Sequence, residues 1–321
     1  MKFAVMFPGQ GSQYSGMCVD MARSDVRAMR VFEEASEILK TDLIDMIENA
    51  PMKVFTMSEN AQPATVAASC VLYRKFVEET GAVPDVLVGH SLGEISALIC
   101  SGGISFGDGI AFTRERGRLM QRALEDKNGF AGIVTDMEAA ELERMVKKMP
   151  PGEYAAITGY NSPNQFLVAG SPAAARILDD EVEKAGGQFI PFKMIPMKAN
   201  APYHSRLMSY LGRDIEAAVK KTAAEKPKIP VWSTVTGKKI TNRTEIREIL
   251  AGQLTRPVLW SQALNGIRAE GARLMVDIGP NRIIRNLVRE DESLPPALAY
   301  DDMQDRETIL NIFNERMKKS A

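Results

Sequence analysis

Histidine and cysteine are scarce in this chain, and charge of one sign is missing. Two histidines, His90 and His204, occur in 321 residues, so a side chain that needs an imidazole base has two places to find it. Cys18, Cys70 and Cys100 are an odd number without CxxC spacing, which excludes a disulfide frame and points to reduced thiols in a cytoplasmic protein, each read as apolar filler. Lys plus Arg (40) matches Asp plus Glu (41), and a net charge of -1 provides no field for a polyanion, so nucleic acid is not expected as a partner. No run approaches the roughly 18 apolar residues of a membrane span, so no membrane partner is expected. The opening "MKFAVMFPGQ" begins like a signal peptide, but Pro8 and Gly9 stop it, and it reads as a first strand. Repeats and low-complexity segments are absent.

What is present is the composition of a globular protein, 45% hydrophobic and 25% charged, in a chain long enough for two domains or one with an insert. Short β-rich runs ("FAVMF", "DVLVGH", "KIPVWSTV", "RLMVDIG") alternate with long helical patterns, which predicts an α/β fold with a mostly parallel sheet. Residues 126–199 differ. Strand "FAGIV", helix "EAAELERMVKKM", strands "AAITGY" and "QFLVAG", helix "PAAARILDDEVEKAG" and strand "QFIPFKM" give the order βαββαβ, that of a ferredoxin-like unit. A small domain over 126–199 is therefore expected inside a discontinuous large domain of 1–125 and 200–321, with "MPPGE" and "YNSPN" as loops of the insert.

Gly89-His90-Ser91-Leu92-Gly93 fits G-x-S-x-G. The pentapeptide is weak evidence alone, but an apolar run before it and "LGEISALICSG" after it supply the strand, sharp turn and helix of a nucleophile elbow. A structural serine in a glycine-lined turn is the other reading. A serine hydroxyl needs a base to remove its proton. His90 adjoins Ser91, and neighbouring side chains at an elbow point apart, so His204 in "NAPYHSRLM" is the candidate base, at the expected return from the small domain to the large one.

Arg116 is the second anomaly. On a helix over 109–125, Phe112, Leu119, Met120 and Ala123 share one face with Arg116 in its middle, whereas Arg114, Arg118 and Arg122 fall opposite. A guanidinium in an apolar face must meet an anion or be desolvated at a cost of several kcal/mol, and its planar fork suits a carboxylate. A buried structural ion pair is the alternative.

"FPGQGSQ", "GHSLGE", "RGRLMQ", "NSPNQFLVAG", "PYHS" and "DIGP" follow one another in an order that resembles the malonyl-CoA:acyl carrier protein transacylases over nearly the whole chain. The resemblance implies a hydrolase-like α/β domain with a ferredoxin-like insert, and a ping-pong transfer of malonyl from malonyl-CoA to the phosphopantetheine thiol of an acyl carrier protein. It implies Ser91 as nucleophile, His204 as base oriented by a carbonyl near Arg256, the amides of Gln10 and Leu92 as oxyanion hole, and Arg116 as partner of the malonyl carboxylate. Gln62, Tyr203 and His90 fall on its substrate side, Tyr203 narrowing the pocket against an α-methyl group. No cofactor or metal is expected. Arg282 and Arg285 are candidates for docking an acidic carrier, against the reading of a solvated charged face. Two rivals remain: a serine hydrolase releasing the acyl group to water, which would have little use for Arg116, and a non-catalytic carrier-binding module.

Overall fold

The computed structural model describes residues 1–194 and 200–320, without the side chains of 316–320; residues 195–199, the expected tail of the small unit, lie outside the described residues. β1 (Phe3–Phe7), β2 (Val86–Gly89), β7 (Val231–Trp232), β8 (Leu274–Asp277) and β9 (Ala297–Ala299) form a sheet in the order β7-β2-β1-β8-β9, with every pairing parallel. Parallel strands need cover on both faces, so the central strands are apolar throughout, and all residues of β1, β2 and β8 are buried. The alternation of β1 divides the core. Phe3, Val5 and Phe7 enter a cluster with Val71 and Phe76 of the helix Ser58–Thr80, while Ala4 and Met6 meet Trp260, Leu264 and Ile267 on the other face.

The remaining strands, β3 (Phe130–Thr135), β4 (Ala155–Ser162), β5 (Gln165–Gly170) and β6 (Gln188–Pro191), form an antiparallel sheet in the order β4-β5-β3-β6. Helices Ala139–Lys147 and Ala174–Lys184 pack on one face through Leu142, Leu178 and Val182. β3 sends Phe130 and Val134 to these helices, and Ala131 and Ile133 to a cleft against the parallel sheet's domain.

Four expectations are corrected in detail. "YNSPN" is not a loop throughout, since β4 runs on to Ser162 and the turn is Pro163-Asn164. "QFIPFKM" leaves the sheet after Pro191 and continues as a 3-10 turn, Phe192–Met194. Of "KIPVWSTV" two residues pair, because β7 is an edge strand entered through a proline. β9 was not foreseen, being three residues long after a Pro-Pro step.

The turn from β2 into the helix Gly93–Cys100 brings that helix almost onto the sheet. A Cβ on Gly93 would stand 2.1 Å from the Phe7 carbonyl oxygen, and one on Gly89 would stand 1.9 Å from the Gly93 carbonyl carbon. Backbone cannot yield as a flexible side chain can, so Gly93→Ala is expected to destabilise the fold by about 3 kcal/mol or more. Gly212→Ala, at a helical position with nothing within 4 Å of the added carbon, should be neutral or stabilising by up to about 1 kcal/mol. Thermal melting of the two variants beside the parent checks the contrast.

Candidate active site

Ser91 occupies the elbow with φ 50°, a left-handed conformation that costs a non-glycine residue about 1–2 kcal/mol and is held here by the packing around Gly89 and Gly93. It presents the hydroxyl at the carboxyl end of β2, where open α/β sheets place their ligands. His204 has φ 58° and reaches the same point from the segment that follows the antiparallel sheet in the chain. Its Nε2 lies 2.8 Å from Ser91 Oγ. Its Nδ1 lies 3.2 Å from the Arg256 carbonyl oxygen, an acceptor that assigns the Nδ1 proton and leaves Nε2 able to accept from the serine. No carboxylate takes part in this pair of contacts.

Burial lowers the His204 pKa to about 3, and the neighbouring Arg116 cation and His90 act in the same direction. Arg116 is 1% exposed on the helix Phe106–Asp126, whose Ser105 cap accepts from the Asp108 amide. The apolar face read from the sequence is the buried one, comprising Phe112, Leu119, Met120 and Ala123. Among the described residues no carboxylate lies within ion-pair distance of Arg116. Its Nη2 donates to Ser91 Oγ at 2.9 Å, Nη1 to Gln62 Oε1 at 2.8 Å, and Nε to Gln253 Oε1 at 3.2 Å. Desolvation pulls its pKa down to about 10, opposed by Glu94 and Tyr203, so it is cationic at neutral pH.

The other expected residues converge on this point to different degrees. Gln10, His90, Ser91, Arg116, Tyr203 and His204 line a cavity of about 610 Å³ between the two sheets. Gln62 is fully buried behind it, where its Nε2 donates to Gln10 Oε1 at 3.0 Å while its Oε1 accepts from Arg116. The Leu92 side chain is in the core, and its backbone N–H heads the helix Gly93–Cys100. Neither the Leu92 nor the Gln10 amide hydrogen has an acceptor among the described residues, leaving both available to an oxyanion. The Tyr203 hydroxyl donates to the Met120 carbonyl oxygen at 3.2 Å, which fixes its ring in the cavity wall. His90 does not touch Ser91: its Nε2 lies 2.9 Å from Asn161 Oδ1 on the antiparallel sheet.

Arg285 does not lie on the surface where a docking residue was expected. It is 7% exposed and holds Asp305 at 2.6 Å, whereas Arg282 remains at the surface, paired with Asp302 at 2.7 Å. Sequence reasoning missed Gln253, Asn161 and Glu94. Glu94 is fully buried, and desolvation raises its pKa to about 7 against hydrogen bonds from Ser233 and Thr234. Its place in "GHSLGE", three residues after the serine, was the available signal; a lone glutamine in a turn and an asparagine two residues before a proline carry none.

A serine at a strand-to-helix elbow beside an imidazole and two unclaimed amides is the equipment of enzymes that pass an acyl group through a serine ester. The chain belongs to the acyl transferase domain family, whose pattern matches residues 5–297. It is 30% identical over 315 residues to the malonyl CoA-acyl carrier protein transacylase of Bacillus subtilis, covering 98% of each chain. Among solved structures, the malonyl CoA-acyl carrier protein transacylase of Clostridium perfringens superposes with a TM-score of 0.92 at 26% identity, covering 100% of this chain and 99% of that one. A malonyl-transacylase solved in complex with a type II PKS acyl-carrier protein gives 0.90 at 30% identity, covering 97% and 99%.

A base held near 3 stays unprotonated through the pH range in which an ordinary histidine charges. Serine acylation followed as a burst should therefore hold its rate from pH 8 to pH 5.5, where a histidine titrating at about 6.5 would lose about tenfold. The linkage to stability has one sign: with the folded pKa below the unfolded one, the contribution of neutral His204 is whole above about pH 6.5 and is lost as pH falls toward 3. A tenfold fall in burst rate centred at pH 6.5 would contradict this environment.

Proposed function

We propose that this protein is a malonyl-CoA:acyl carrier protein S-malonyltransferase working by a ping-pong mechanism in the cytoplasm. The observation that carries the reading is a buried guanidinium 2.9 Å from the nucleophilic oxygen, without an ion-pair partner among the described residues. An acyl group bearing its own carboxylate supplies the missing anion, and malonyl does so two bonds from the reacting carbonyl. The names of the relatives and of the carrier complex agree with this substrate pair. The large body is read as hydrolase-like, built from 1–125 and 200–321. The insert, 126–199, is read as ferredoxin-like on its βαββαβ order and antiparallel sheet.

In this scheme Ser91 Oγ attacks the thioester carbonyl carbon while its proton passes to His204 Nε2. The oxyanion accepts the amide hydrogens of Gln10 and Leu92. Collapse breaks the carbon–sulfur bond, and the leaving CoA sulfur takes the proton from His204. The phosphopantetheine thiol of the carrier then gives its proton to His204 and attacks the seryl ester, and Ser91 Oγ recovers that proton as it leaves. The serine's proton leaves with CoA and the carrier thiol's proton replaces it, so the protein ends each cycle as it began and the cycle calls for no cofactor or metal.

Incubation with malonyl-CoA should leave one malonyl group on the protein, absent from Ser91→Ala, by intact-mass spectrometry. His204→Ala should lower transfer by about 10³-fold or more, and His90→Ala by less, since His90 bonds Asn161 rather than the serine. Arg116→Ala should lose malonyl transfer yet keep acetyl transfer, because removing the cation removes the cost of seating a neutral group beside it, and Arg116→Lys should fall between. Malonyl and acetyl transfer falling together in a folded Arg116→Ala protein would make the arginine structural.

A further inference from the structure

Arg116 has five N–H donors, and three are engaged, on Gln253, Gln62 and Ser91. The contact at Nε is the unusual one, because it closes the side-on edge that Nε shares with one terminal nitrogen, and two of the four terminal hydrogens remain to meet an anion. That contact belongs to a longer chain. Gln253 is 1% exposed; its Oε1 accepts from Arg116 Nε, and its Nε2 donates to Glu94 Oε2 at 3.0 Å. The same Glu94 oxygen accepts from Thr234 Oγ1 at 3.2 Å, and that hydroxyl also contacts the Gly89 carbonyl oxygen at 3.0 Å. A buried carboxylate thus stands one amide away from a buried cation.

We propose that Gln253, with its amide oriented by Glu94, is a positioning residue that sets the acyl selectivity of Arg116. Since Glu94 offers an acceptor, the Gln253 amide must turn its NH₂ toward Glu94 and its oxygen toward the arginine. Placed in direct contact, the carboxylate would pair with the guanidinium and occupy the fork that the substrate needs. Set one amide back, its oxygen holds the Gln253 amide, and through it the arginine, without occupying the fork. The turn Gln253–Arg256 then aligns both halves of the chemistry, its Gln253 side chain fixing the arginine and its Arg256 carbonyl fixing the base. This rests on the reading of Arg116 as the partner of the acyl carboxylate.

The test measures serine acylation by malonyl-CoA and by acetyl-CoA in the full-length protein. Gln253→Met should lower kcat/KM for malonyl-CoA about tenfold or more, mainly through KM, and leave acetyl-CoA within about twofold. Glu94→Met should do the same, and Glu94→Gln, which keeps an acceptor, should stay within about threefold of the parent. In the double Met variant the losses should not multiply, because both act through one contact. Equal losses for the two thioesters in folded variants, a Glu94→Gln loss as large as that of Glu94→Met, or multiplying losses would each overturn the proposal. Should Gln253→Met not fold, Gln253→Glu serves: a carboxylate on Nε should neutralise Arg116 and abolish the malonyl preference, and an unchanged preference would overturn the positioning role. Arg116→Ala run alongside separates the two levels. If it fails to discriminate the thioesters, the parent reading fails; if it discriminates and the Gln253 variants do not, the positioning role alone is wrong.

Discussion

A desolvated cation beside a nucleophile is the constraint around which this molecule is arranged. Removing a guanidinium from water costs several kcal/mol unless its donors find partners, and three of the five donors of Arg116 go to two carboxamide oxygens and a hydroxyl rather than to a carboxylate. Neutral acceptors offset part of the cost while leaving the charge uncompensated at short range. Three segments distant in sequence must then be brought together to within hydrogen-bond distance: the helix bearing Gln62, the elbow with Ser91, and the turn with Gln253. The parallel sheet makes this possible, because its strands end side by side and the loops that follow them converge.

Local geometry at the elbow depends on the same sheet. The helix Gly93–Cys100 lies so close to β1 that a methyl group on Gly93 would overlap the Phe7 carbonyl, and this closeness directs the first turn of the helix, with the Leu92 amide, toward Ser91 Oγ. Left-handed conformations at Ser91 and His204 are unfavourable in isolation. Here they are overdetermined, Ser91 by two glycines and His204 by contacts at both ring nitrogens. Both left-handed residues thus stand at one point, with Ser91 Oγ and His204 Nε2 2.8 Å apart.

What the sequence revealed follows from which signals are periodic. β1, β2 and β8 could be read because strands buried on both faces are continuous apolar runs, and Arg116 stood out because a helix repeats every 3.6 residues and a charge interrupts its apolar stripe. Ser91 and His204 were legible through a motif and through the scarcity of histidine. β9 had too few residues to show a period, and "YNSPN" looked like a loop because Asn and Pro are turn residues, although Tyr160 and Ser162 pair with β5 on either side of a bulge at Asn161. Gln253 and Asn161 left no trace, since an amide acquires meaning from what stands opposite, and those partners lie 137 and 71 residues away.

The cleft has one rigid wall and one wall held by polar contacts. On the parallel side, Ser91, Arg116 and the elbow are fixed by buried backbone and a fully apolar core. On the antiparallel side, His90 contacts Asn161, whose Nδ2 donates to Gln165 Oε1 at 3.1 Å, and Gln165 Nε2 reaches Glu290 at 3.2 Å. This chain of contacts joins the elbow at the end of β2 to the antiparallel sheet and leads on to Glu290 across the cavity. The same sheet is also tied by backbone, Tyr160 N–H donating to the Val258 carbonyl and Val258 N–H to the Thr158 carbonyl, both at 2.9 Å, so side-chain amides and one short bridge together hold this wall. An enzyme that accepts two different thiols in turn at one serine is served by such an arrangement: the groups that touch the reacting carbon are set by buried backbone on one side, while the remainder of each carrier meets a wall held by side-chain amides and one short backbone bridge.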